Sequence, residues 1–139
     1  MRYALLFLWL VAATTNAAEP GLLTASGFGT VESGAFATKS QGKMMAIRAA
    51  QVDGQRQLAE SIKGVELTGG TTVEEFEVTS DLVATRVRGL IRGAFMLDQQ
   101  VEEESNTLVA EVKMAVCLDK RPKVCANRMT LDDLVEGKQ

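Results

Sequence analysis

Thr107-Leu-Val-Ala-Glu-Val-Lys-Met-Ala-Val-Cys-Leu118 alternates without a break. Leu108, Ala110, Val112, Met114, Val116 and Leu118 fall on one face, and Val109, Glu111, Lys113, Ala115 and Cys117 on the other. A period of two held this long predicts a β-strand with one face in a core. Just upstream, residues 94–103 read as a second strand, and Ser105-Asn106 supplies turn chemistry between the two. An antiparallel hairpin is therefore expected over residues 94–118. Glu102, Glu103 and Glu104 lie beside the turn and read as a solvated tip rather than an acid/base or metal site.

The element that covers this hairpin is expected at residues 38–63. Ile47, Ala50, Gly54, Leu58 and Ile62 recur at three- and four-residue steps, with Met44 one turn earlier, and form one apolar stripe. Arg48, Asp53, Gln55, Arg56, Glu60 and Lys63 make the wet face. Gly54 within the stripe costs about 1 kcal/mol of helix propensity against Ala, and close packing of helix on sheet is the expected return. Gly64 is a C-cap candidate. Before the helix, residues 22–32 read as a strand. Gly27 and Gly29 flank Phe28 there and leave one strand face bare, which suits close approach of another backbone. A phosphate loop would need a third Gly opening a helix, and that spacing is absent.

Residues 65–78 read as a further strand, interrupted by Gly69-Gly70, with Glu74, Glu75 and Glu77 around Phe76 on an exposed face. Thr79, Ser80 and Asp81 supply capping oxygens for a short helix that Gly93 stops. Leu82, Val83, Val87, Leu90 and Ile91 give that helix an apolar side, and Arg86, Arg88 and Arg92 a basic one. The polar segment 119–139 carries one short apolar patch at Leu131–Val135, a terminal helix or a disordered end.

The first eighteen residues have the layout of a secretory signal peptide. Arg2 is the basic start, Ala4 to Ala13 is uninterruptedly apolar, and Thr14 to Ala18 offers a small-residue exit. The apolar run is too short to span a bilayer, which needs roughly 20 residues. Export to the periplasm with cleavage after Ala17 or Ala18 is expected, and no later segment is apolar enough to hold the chain in a membrane. No Cys follows the apolar run, so this segment offers no lipid-attachment site. Of 139 residues, roughly 120 would remain, enough for one domain with a modest core.

The chain carries a net charge of −3, which argues against nucleic acid as a partner. It has no His and two Cys, so His-based nucleophilic catalysis and a metal site are not expected. No cofactor is expected either. Cys117 and Cys125 lie eight residues apart. In an oxidising compartment a disulfide is the simplest reading of such a pair, two buried free thiols being the alternative. The arginine cluster reads as a solvated helix side, or as the complement of the acidic strand on a neighbouring subunit.

Ala25-Ser26-Gly27-Phe28-Gly29, followed by the helix Ala46-Ile-Arg-Ala-Ala-Gln-Val-Asp-Gly-Gln-Arg-Gln-Leu-Ala-Glu-Ser-Ile-Lys-Gly64, resembles the Lpp-twenty lipoprotein family. The family pattern has alanine-rich turns, then Ala-x-Arg-x-Leu-Ala-Glu, then an apolar residue and Gly. The resemblance covers residues 22–118. This chain departs from the family's flagellar outer-membrane branch in lacking the lipobox Cys, and it has Gly54 where Ala is common. The resemblance implies a small domain that builds rings around the flagellar rod or sits at the outer membrane, without enzymatic activity.

The combined expectation is an α+β fold in one small domain, ordered β-α-β-α-β-β, with the long helix on a curved, mostly antiparallel sheet. Residues 1–18 are the leader, 19–118 the domain, and 119–139 a tail pinned by Cys117 and Cys125. The expected role is a ring-forming, homo-oligomeric flagellar component in the periplasm, meeting other flagellar or outer-membrane proteins. Arg86, Arg88 and Arg92 on one patch, and Glu75, Phe76 and Glu77 on the other, are the candidate subunit interface. The alternative is a periplasmic module that binds a small ligand or envelope polymer on the sheet face opposite the long helix.

Overall fold

The structure, a computed structural model, describes residues 19–67 and 70–137. The expected leader at 1–18 lies outside these residues. In chain order the elements are β1 (Leu22–Glu32), α1 (Lys39–Lys63), α2 (Val73–Thr79), α3 (Asp81–Arg92), β2 (Phe95–Glu104), β3 (Thr107–Cys117) and α4 (Leu131–Val135). The strands form one antiparallel sheet in the order β1-β3-β2. The fold is α+β, as expected from the sequence.

The hairpin forms as its alternation requires. Leu108, Ala110, Val112, Met114 and Val116 are all buried beneath the helices. Ser105 takes a left-handed φ of 57° in the turn, and Leu97 is an extra residue that bulges β2 between Met96 and Asp98. Helix α1 starts at a Thr38 N-cap, whose hydroxyl accepts from the Gln41 N–H. Helix α3 starts in the same way at Ser80, capping Val83.

Helix α1 lies on β1 and β3 through its smallest residues. The buried positions are Gly42, Ala46, Ala50, Gly54, Leu58 and Ile62, a strict four-residue repeat. Met44 is exposed and Ile47 only half-buried, so the stripe runs one position away from its expected start. Gly27 and Gly29 lie directly under this row. A methyl on Gly27 would sit 2.7 Å from the Gly54 Cα and closer still to the Ala50 carbonyl oxygen. One on Gly29 would overlap the Ala46 carbonyl and the Ala50 nitrogen. Backbone meets backbone at this seam, the close approach that paired glycines permit.

The expected strand at 65–78 is not formed. Residues 73–79 are helix α2, and the extended structure left is a single antiparallel bridge between Glu66 and Thr72. The cause is local. The Thr72 hydroxyl accepts from the Glu75 N–H while the Glu75 carboxylate accepts from the Thr72 N–H, a reciprocal capping box. The β-branched residues of this stretch favour extension, but the cap satisfies two donors at once and starts a helix.

The tail packs as part of the domain. Leu131 and Leu134 of α4 join the main core with Val87 and Leu90 of α3. Thr130 and Asp133 close a second capping box. Cys117 and Cys125 form a disulfide with a Cα–Cα distance of 5.7 Å. They bury a second small cluster with Leu22 and Ala115 against Phe95. The Arg128 guanidinium stacks on the Phe95 ring 4.0 Å from its centre.

Candidate functional site

Strand β2 is the least protected regular element of the sheet. Helix α1 covers β1 and β3, so β2 overhangs the helix layer. Met96–Gln100 and Glu102–Glu104 are all exposed, and its outer edge pairs with no strand among the described residues. Between α1 and β2 runs a groove of about 580 Å3, lined by Arg48, Val52, Gln55, Met96 and Met114 among others. Val52 is 67% exposed, and Met96 and Leu97 are exposed too. Apolar side chains are thus gathered along an open strand. The edge is also tempered: the Leu97 bulge breaks the ladder, and the Asp98 carboxylate accepts from the Gln99 N–H at 2.9 Å. At the far end Glu103 is anchored, contrary to the expectation of a wholly solvated tip. It accepts from the Ser33 hydroxyl at 3.0 Å and pairs with Lys39. Those two donors, Lys39 foremost, hold its carboxyl below the ordinary value. Glu102 and Glu104 stay exposed.

The opposite edge is guarded. The Phe28 N–H of β1 donates to the Asp53 carboxylate of α1 at 3.0 Å. Asp53 also accepts from Arg56 at 2.9 Å and Gln57 at 3.1 Å. The Phe28 amide, then Arg56 and Gln57, hold the Asp53 carboxyl below its ordinary value. On the sheet face away from α1, Phe28 is 55% exposed. It borders a recess of about 110 Å3 with Gln100, Glu102, Val109 and Glu111. That recess is far smaller than the roughly 300–1,000 Å3 of ordinary ligand pockets.

The two charged patches expected to meet across subunits are placed differently. Glu75, Phe76 and Glu77 stand on helix α2, not on a strand. Glu75 is occupied by the capping box. Arg86 points away from Arg88 and Arg92 and donates to the Leu134 carbonyl at the end of α4, at 3.0 Å. Arg88 donates to Thr85 on its own helix at 3.2 Å. Glu77, Arg88 and Arg92 line one cleft of about 410 Å3 between α1, α2 and α3. Three of the six candidates therefore converge on one cleft of the chain.

Sequence reasoning passed over Val52, Met96 and Leu97. A signal existed for each: Val52 is apolar off the helix stripe, and the pair Met96-Leu97 interrupts the alternation of β2. Among the described residues no group of three or more acidic or Cys side chains is placed to hold a metal ion. No helix among them is long and apolar enough to cross a membrane.

A family model described as LPP20 lipoprotein matches residues 9–115. No curated protein and no solved structure shows significant similarity to the chain.

Proposed function

The chain belongs to the LPP20 lipoprotein family, and from that premise we propose that it is a non-enzymatic structural or assembly module of the cell envelope. In this reading the leader at 1–18 exports it to the periplasm, where it stays associated with the outer membrane. Copies assemble into a ring of the flagellar apparatus. The flagellar assignment rests on the resemblance of the β1–α1 sequence to that branch of the family. The assembly reading rests on one observation: β2 is exposed on both faces and, among the described residues, unpaired on one edge, beside the apolar groups Val52, Met96 and Leu97. A ring needs a heterologous contact, in which two unlike surfaces of one subunit meet on neighbours. The groove beside β2 is one such surface, and the bare sheet face around Phe28 is the unlike one. This reading prefers these surfaces to the arginine–glutamate pairing, because Glu75 of that pairing is engaged in a helix cap.

Sedimentation of the purified protein tests this reading. A closed oligomer that Leu97→Asp and Val52→Lys disperse, with melting temperature preserved, is the expected result. A monomer at all concentrations would remove the assembly reading. Loss of swimming in a deletion strain, restored by wild type and not by Leu97→Asp, is the expected cellular result for a flagellar ring.

A further inference from the structure

The cleft between α1, α2 and α3 has a composition that assembly through β2 does not use. Its interior is formed by Ile62 of α1 and by Ala84, Val87 and Ile91 of α3. Ile62 and Val87 are core residues, so the floor of the cleft is the core itself. The rim is cationic: Lys63 at the end of α1, and Arg88 and Arg92 one turn apart on α3. None of these three makes an ion pair with any described residue. Glu77 is the one carboxylate among the lining residues. Three cations around an apolar interior, against one anion, call for an occupant with a long apolar body and a negative end.

We infer that this cleft binds a free long-chain fatty acid, with its acyl chain against Ile62, Val87 and Ile91 and its carboxylate held by Arg88 and Arg92. Size decides between one chain and two. The cleft holds about 410 Å3, within the usual range for small-molecule sites. At roughly 30 Å3 for a water-sized group, that is room for about fourteen methylenes, hence for most of one long acyl chain and not for a diacyl lipid. The arginines suit the anionic end because a planar guanidinium can donate two parallel hydrogen bonds to a carboxylate. This inference stands apart from the assembly reading, since the cleft lies on the helix layer away from β2.

Titration of the purified protein with the fluorescent fatty acid cis-parinaric acid, below its micellar concentration, tests it. Saturable binding displaced by palmitate but not by neutral hexadecanol is expected. Arg88→Gln with Arg92→Gln should weaken binding at least tenfold, the lower end for losing a charged hydrogen bond. Both arginines are exposed, so this variant keeps its fold, which its thermal melt checks. Ala84→Trp, which fills the cleft from its wall, should abolish saturable binding. Absence of saturable binding to the wild type overturns the inference, as does equal affinity in both variants or equal displacement by hexadecanol. If Ala84→Trp disperses an oligomer while the wild type binds no fatty acid, a neighbouring subunit occupies the cleft and the inference is equally overturned.

Discussion

The Asp53 carboxylate of α1 accepts a hydrogen bond from the backbone N–H of Phe28 in β1, joining residues twenty-five positions apart. Without it an amide on the outer edge of β1 would be free to pair with another strand. The bond thus fastens the helix to the strand and blunts the edge at its middle. Because the folded-state pKa lies below the ordinary 3.8, the contribution is present above the ordinary carboxylate range. It is lost as pH falls through the folded pKa. Asp53→Asn should lower the melting temperature at neutral pH, and the gap from wild type should shrink on acidification below about pH 4. A gap independent of pH in thermal melts would contradict the role given to the charge.

The glycine seam is expected to tolerate nothing larger. Gly27→Ala places a methyl against backbone atoms of Ala50 and Gly54, which cannot rotate away. Its cost should reach or exceed the roughly 1–3 kcal/mol of ordinary overpacking. Gly89→Ala is the control. Gly89 lies in α3 with open space where the methyl would go, so the change should stabilise by about 0.5–1 kcal/mol. Urea denaturation of both variants checks the opposite signs.

Leu58 is fully buried in the row that faces the sheet. Leu58→Ala should cost about 2–5 kcal/mol. Gln55→Ala, on the groove side of the same helix, should stay within about 0.5 kcal/mol. Equal effects in chemical denaturation would mean that the helix does not pack by this row.

Joining Cys117 to Cys125 closes a loop eight residues long. In the chain-entropy model such a loop contributes about 2–3 kcal/mol. Cys117→Ala with Cys125→Ala should lose about that much and loosen residues 119–129 from Phe95. Trypsin should then cut first at Lys120, Lys123 or Arg128. An unchanged cleavage pattern would show that the segment holds without the bond.

What was legible in the sequence follows from how locally it is determined. The β3 alternation, the cap at Ser80 and the cysteine pair are each set within a dozen residues, and each formed. The α1 stripe was displaced because size misled. Met44 and Ile47 are the larger groups, yet the helix meets the sheet through Gly42 and Ala46, where small size permits contact with β1. Residues 73–79 misled through composition, although Thr72-x-x-Glu75 already held the capping box. The exposed apolar row beside β2 was hidden for a different reason. The exposure of Val52 and Met96 depends on where α1 ends up over the sheet, which no short window reveals.

The seam of Gly27 and Gly29 under Ala46, Ala50 and Gly54 works as a key in a lock. Sliding α1 along β1 by one residue would bring Ile47, Gln51 or Gln55 onto a surface shaped to admit no side chain larger than a methyl. Intermediate positions are therefore closed, and the helix–strand pair travels as a single rigid beam. Movement on joining a neighbour or taking up a ligand is left to the parts outside the seam: the overhanging strand β2, and the helices α2 and α3, which hinge on ordinary side-chain contacts.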